Sequence, residues 1–528
     1  MPTWRGSPTW LRPLIVALLV LGVFFRFVNL DQKVYWFDET ITSLHLSGYT
    51  GEELTKQVLD GREIGIEDLQ KYQRTNPEKG LSDTVKSLSE DCHHPPLYYL
   101  MARFWVQWFG NSVAVTRSFS AVISLLSFPC IYWLCQELFA SSLIGWVAIA
   151  LIAVSPFHVL YAQEAREYSL SIVTILLSSA ALLQAMRLRT KFSWGIYAAT
   201  TVLGLYSSLF FGLVAIGHGI YVSATESFRL SKTFIAYLLA SVVGILAFTP
   251  WIFVVITNIS QIQDETAWVR ERKSLLYLCM KWAANLSQIF LDLVVYNNAS
   301  YKNIFPLIIP ILFLVVLVGY SLYFLCRRAP KKVWLFILTL IGVTVLALAL
   351  PDLIVGGYRS GTSRYLIPCY IGIQLAVAYL LATQIASIAI NSRRQKLWRF
   401  VTLMLLSGGI LSCVISSQAH FWWNKSTDSF DSLQVVPMIN RTTHPLLIIS
   451  TSSGDAMSLS YLLEPKVQLQ WWGKQQNLPN INNKFSDTFL VDNTSDAWQH
   501  KQLLIQHNYK IDLVYSGRSK RLWKIEKQ

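Results

Sequence analysis

The chain has 528 residues, 53% of them hydrophobic and only 14% charged, with a formal net charge of +14. Soluble globular proteins carry about 25% charged residues, and apolar runs near the roughly 20 residues that cross a bilayer as a helix recur throughout, so a soluble enzyme is excluded. The basic residues fall between the apolar runs, where membrane topology accounts for them, and they give no support to a nucleic-acid partner.

In chain order the apolar runs predict spans over roughly 11–30, 112–135, 143–160, 168–186, 194–208, 209–224, 234–256, 303–325, 333–350, 365–388 and 400–417, about eleven in all. Residues 11–30 follow Arg5 and Arg12 and show no small-residue cleavage site, so they read as a retained signal anchor. With the N-terminus cytoplasmic, the inner connections are "MRLRTKF", "TESFRLSK", "CRRAPKK", "NSRRQKLWR" and a short "CQELFAS". They hold clustered arginine and lysine against the acids Glu137 and Glu226, as the positive-inside rule demands. The outer face then receives a first loop at 31–111, a second at 257–302, shorter loops near 158–167 and 351–364, and everything from about 418 onward. The expected setting is a multi-pass plasma (inner) membrane, with membrane lipids as neighbours.

The first loop has two stretches of helical patterning, "GEELTKQVLDGREIGIEDLQKY" and "LSDTVKSLSE", read as solvated caps. After the last span, "PLLIIST", "KVQLQWW", "DTFLVDN", "KIDLVYS" and "RLWKIE" predict short strands, with helices at "GDAMSLSYLL" and "DAWQHKQLLIQHN". The fold class is therefore an α-helical polytopic membrane protein with a small extracytoplasmic α/β domain. Its domains are expected at 1–417 and 418–528, the second in an accessory role because it lacks a phosphate-binding glycine loop and metal-ligand spacing. Of the seven cysteines, Cys130, Cys135, Cys326, Cys369 and Cys413 lie in or beside apolar runs as packing residues. A bridge between Cys92 and Cys279 is left open. Asn-x-Ser/Thr sites stand at Asn258, Asn285, Asn298, Asn424, Asn440 and Asn493, all on the expected outer face.

Four stretches carry side chains that membrane packing does not ask for: "WFDET", "DCHHPPLYYL", "AQEAREYSL" and "SGTSRYLIP". Each has an ordinary reading. Asp38 and Glu39 suit a helix N-terminus; the prolines after His93 and His94 suit a first helical turn; Glu164, Arg166 and Glu167 suit a surface ion-pair cluster; Arg364 suits a snorkelling span end. Yet charges beside apolar runs are costly unless paired or functional, and all four stretches fall at the outer ends of spans. Together they describe carboxylates for acid–base or metal work and a cradle of His94, Arg166 and Arg364 for an anion. The inner loops are too short to hold a cytosolic nucleotide donor, so an activated group on a lipid phosphate suits such a site better.

At these residues the sequence resembles the GT-C superfamily of polyprenyl-phosphate-sugar-dependent glycosyltransferases, in the branch of protein O-mannosyltransferases and lipid A aminoarabinose transferases. The features are "LRPLIVALLVLGVFFRFVNL…YWFDET", "HPPLYYL", "SPFHVLYAQEAREYSL" and "SRYLIP", in that order. The resemblance implies transfer of a sugar from a polyprenyl-phosphate carrier to an extracytoplasmic glycan, lipid or protein by a single inverting displacement. It makes Asp38 the general base and Glu39 the second acid, which orients the acceptor, Asp38 or an ion. His94 stands where some members carry lysine, and Arg166 and Arg364 neutralise the lipid phosphate with Tyr168 and Tyr365 as hydrogen-bond partners. No cofactor is required; a divalent cation shared by Asp38, Glu39, Glu164 and Glu167 is left open. The competing readings are a transporter or flippase of lipid-linked cargo, which normally shows paired repeats absent here, and a receptor-like assembly protein in which Asp38 would be dispensable.

Overall fold

The computed structural model describes residues 11–58, 60–293, 307–386, 392–473, 481, 484–493 and 497–527. The chain forms two compact units, one of Met1–Val28, Asp91–Tyr98 and Arg117–Gln418, the other of Asn29–Glu90, Tyr99–Thr116 and Ala419–Gln528. Most of the first loop belongs with the C-terminal segment, because its apolar side chains share that segment's core.

The first unit is a helical membrane body. Among the described residues seven helices are long and apolar enough to cross a bilayer, and an eighth span is a pair, Ser142–Ala153 and Pro156–Ala162, bent by 60°. The other three expected spans are shorter apolar helices, Leu11–Phe27 and Lys191–Ser207 with 17 residues each and Phe211–Thr225 with 15. At 1.5 Å per residue, 17 residues cover about 26 Å, somewhat less than a hydrocarbon core of about 30 Å. The Lys191–Ser207 and Phe211–Thr225 helices meet where the Phe211 ring packs on Gly204; a Cβ there would lie 2.3 Å from the ring.

The bend after Ala153 follows from Pro156, which lacks an amide hydrogen and opens the second piece. Carbonyls freed at such a break must find donors in an apolar setting. Arg26, fully buried, supplies them: its guanidinium donates to Ala153 O at 2.8 Å and Ile152 O at 3.1 Å, and to Ser124 Oγ and Gly22 O. Gly22 allows the approach, since a Cβ there would meet Ala153 O at 2.7 Å. In return the Gln163 side-chain amide donates to Phe25 O and Val28 O, both at 2.8 Å, at the end of the first helix. The two caps fix the direction in which the chain leaves the bend toward Glu164–Tyr168.

The second unit is built on a six-stranded sheet of β1 (Glu63–Gly65), β2 (Pro445–Ser450), β3 (Gln468–Trp471), β4 (Asp487–Asn493), β5 (Tyr509–Ser516) and β6 (Lys520–Lys527), in the order β1-β3-β2-β4-β6-β5. β2 is parallel to β3 and β4, and the remaining pairs are antiparallel. The five C-terminal strands are those expected from the sequence; β1 lies in the first loop, inside a stretch whose patterning reads as helix. Central β2 is apolar on both faces, as a covered parallel strand must be. Leu447 and Ile449 face a core shared with Leu44, Leu54 and Val435, and Leu446 and Ile448 face Leu490 and Trp523.

Cys92 and Cys279 are both free thiols, the first buried and the second exposed, so the bridge left open from sequence is not formed. Asn298 lies outside the described residues. Asn285 and Asn424 are buried, and Asn285 donates its side-chain amide to Gly361 O.

Candidate functional site

In the second unit the acid pair opens the helix Phe37–Ser47. Trp36 precedes it in extended backbone, and the Glu39 and Thr40 amides close the first turn onto Trp36 O at 2.9 and 3.0 Å. Both acids thus sit at a helix N-terminus, where the backbone dipoles favour negative charge. They differ in exposure. Asp38 is half-buried, whereas Glu39 is fully buried and pairs through Oε2 with Lys425 Nζ at 2.9 Å. The turn rests on the C-terminal segment: the Thr40 hydroxyl donates to Gly454 O, the Ser458 hydroxyl donates to Tyr35 O, and the Phe37 ring covers Gly454. A Cβ at Gly454 would meet that ring at 2.4 Å. The C-terminal segment is the platform of the acid turn, which its expected accessory role did not include.

In the first unit His94, Arg166, Glu167 and Tyr168 come together. Arg166 is buried, and its Nη2 lies 2.7 Å from His94 Nε2. Guanidinium can only donate, so Nε2 is the accepting nitrogen and the His94 proton sits on Nδ1, 3.3 Å from Glu167 Oε1. Burial, with the positive charges of Arg166 and His93 adding to it, pushes the His94 pKa down to about 4. His94 is therefore neutral near pH 7. Burial works against the Glu167 carboxylate, but Arg166 and His94 outweigh it and hold its pKa well below the usual range.

His93, read as a loop residue in the sequence, carries the charge that His94 lacks. Burial opposes its protonation, yet Asp91 at 2.8 Å and Glu265 at 3.2 Å hold its pKa at about 10. Asp91, His93 and His94 place ligand atoms within 4.8 Å of one another, the convergence a metal ion needs. A metal would have to displace the His93 proton, since imidazole ligates in its neutral form. The carboxylates expected to share an ion fall in different units, Asp38 and Glu39 in one and Glu164 and Glu167 in the other.

The "SRYLIP" stretch joins the same unit through aromatic contacts. The Tyr168 ring meets the Tyr161 ring at 4.8 Å, and the Tyr161 hydroxyl lies 3.1 Å from Ser363 Oγ. Arg364 lies beside the rings of Trp268 at 5.8 Å and Tyr365 at 5.7 Å, and Tyr365 stacks on Phe210 at 4.4 Å. Sequence reasoning missed Lys425, Asp91 and Glu265. Nothing in "WWNKSTD" marks Lys425 as other than an ordinary surface lysine, whereas Asp91 stands two residues before the histidine pair and was legible as its partner.

The family model for dolichyl-phosphate-mannose-protein mannosyltransferases matches residues 93–253, a stretch that begins at the histidine pair and takes in Arg166 and Glu167. The fold is similar to that of ArnT from Cupriavidus metallidurans in the apo state, at 11% identity and a TM-score of 0.52, covering 97% of this chain and 98% of that one. At that identity the likeness is one of fold. The fold is also similar to that of the Archaeoglobus fulgidus oligosaccharyltransferase in its apo form, at 11% identity and a TM-score of 0.51, covering 98% of this chain and 75% of that one. ArnT from Cupriavidus metallidurans bound to undecaprenyl phosphate aligns at 12% identity and a TM-score of 0.49, covering 98% of each chain. No curated protein matches the chain by sequence.

Proposed function

We propose that this chain is a GT-C glycosyltransferase that moves a sugar from a polyprenyl-phosphate carrier to an acceptor outside the cytoplasm, by a single displacement that inverts the anomeric centre. The observation that carries the reading is the buried ensemble of Arg166, Glu167 and neutral His94, linked through Tyr168, Tyr161 and Ser363 to the segment of Arg364. His94, Tyr161, Arg166, Glu167 and Tyr168 lie within the stretch matched by the dolichyl-phosphate-mannose-protein mannosyltransferase family model, and Ser363 and Arg364 lie outside it.

The chemistry asks little of the protein beyond charge and one base. A prenyl phosphate leaves as a stable anion and needs no strong acid, unlike the poor leaving oxygen of a glycoside. Arg364, held beside Trp268 and Tyr365, supplies the positive charge for the departing phosphate. Arg166, compensated by Glu167 and held by His94, adds a second cation of fixed orientation. Fixed donors aimed at developing charge contribute several kcal/mol. Asp38 takes the proton of the acceptor hydroxyl or amine, and a positioned base contributes about 10²–10⁴-fold. The N-terminus is cytoplasmic, and the acceptor is a glycan, lipid or protein on the other side.

The test is incubation of the purified protein with several prenyl-phosphate sugars and acceptors, with and without EDTA. Release of free prenyl phosphate and a product of opposite anomeric configuration are expected. Retained configuration, or a nucleotide sugar used directly, would overturn the reading.

A further inference from the structure

We propose that Glu39 and Lys425 form a buried ion-pair clamp that sets the rotation of the first turn of helix Phe37–Ser47, so that Glu39 is a positioning residue and Asp38 alone meets the acceptor. The inference deepens the reading above and rests on its assignment of Asp38 as the base. The side chains are 1% and 0% exposed at Lys425 and Glu39, and their charged atoms are 2.9 Å apart. The Lys425 ammonium also lies over the Trp36 ring, 5.5 Å from its centre. A carboxylate with no exposed surface and an ammonium on one oxygen has no access to a substrate in this conformation. It does have a mechanical consequence. Consecutive helical side chains point about 100° apart, so fixing residue 39 inward turns residue 38 off the buried face, where it is half-buried. Thr40, also fully buried and bonded to Gly454 O, fixes the turn from the other side.

The pair also settles the local charge. Two adjacent carboxylates at one helix end repel each other, and Lys425 compensates the inner one. Removing one partner of a buried pair leaves an uncompensated charge, whereas removing both leaves none. This asymmetry makes the clamp testable.

Four variants of the full-length protein, Lys425→Met, Lys425→Arg, the double Glu39→Gln/Lys425→Met and Asp38→Asn, are reconstituted in lipid vesicles. They are assayed with a polyprenyl-phosphate hexose that the unaltered chain consumes. Lys425→Met is expected to lower kcat about 100-fold, as displacement of a reacting group by about 1 Å does, with the donor KM unchanged. Lys425→Arg should keep most of the turnover. The double variant should recover at least about tenfold of the loss, because it removes the unpaired charge. Wild-type kcat in Lys425→Met, or a double variant no better than Lys425→Met, would overturn the clamp. Undiminished transfer by Asp38→Asn would instead sink the assignment of the base, so the two claims fail separately.

Discussion

Around Arg166 the charged side chains come mainly from two short stretches, 91–94 and 164–168: Arg166 pairs with His94 and Glu167, and His93 with Asp91 and, from further along, Glu265. Around Glu39 the partner is Lys425, 386 residues further along the chain. The first arrangement is redundant, so several contacts share each charge. The second joins two buried residues that are far apart in the chain. Losing one member of the first should soften the ensemble, whereas losing one member of the second leaves a bare charge in an apolar setting, which costs far more.

The largest effect that separates the two regions should come from the cations of the membrane unit. Arg364→Ala is expected to lower kcat/KM for the donor by about 10²–10³-fold, the usual loss of one charge-stabilising donor, while leaving acceptor preference unchanged. Steady-state kinetics over a panel of acceptors checks this, and an equal loss of acceptor discrimination would count against a phosphate role. Arg26→Ala should act on the membrane unit through its fold. Stripping the donors from Ile152 O and Ala153 O should destabilise the membrane unit by about 2–4 kcal/mol, read as a lower melting temperature in detergent. Lys in its place, with fewer donors, should restore only part of the loss.

A smaller effect is expected from acid. The folded pKa of His94 lies at about 4, below the ordinary value of about 6.5, so the folded state binds fewer protons there than the unfolded chain. The stability contributed by neutral His94 is fully present above about pH 6.5 and is lost as the pH falls through about 4. Glu167, also depressed, adds loss in the same direction. Melting temperature should therefore fall on acidification from pH 6.5 to 4, and fall less in His94→Gln; parallel curves would contradict the tautomer assigned here. The smallest effect is a label. Free, exposed Cys279 should react with a membrane-impermeant maleimide added to intact cells if its loop is external, and reaction only after lysis would reverse the orientation.

What the sequence made legible follows the same division. The spans could be read because a bilayer sets a length and a polarity that composition alone reveals. The five C-terminal strands could be read from their short apolar runs, and the Arg166 region from charges set beside apolar helices. Three things were closed to sequence reading. The short β1 sits inside a helix-like pattern and is a strand only because β3 offers it an edge. The grouping of 29–90 with the C-terminal segment, and the match of Glu39 to Lys425, depend on contacts between residues hundreds of positions apart, which leave no local pattern. Glu39 was legible as an acid beside Asp38, but its burial, the property that separates their roles, is tertiary.

The proposed reaction gives the base's role to Asp38 and the phosphate's charge partners to Arg166 and Arg364, and one preparation tests that assignment. Binding of a prenyl-phosphate sugar and single-turnover release of prenyl phosphate would be measured together on purified wild-type and Asp38→Asn protein. The account predicts donor affinity unchanged within about twofold and turnover reduced by about 10²–10⁴-fold. Turnover near wild type, or donor affinity lost along with it, would contradict it.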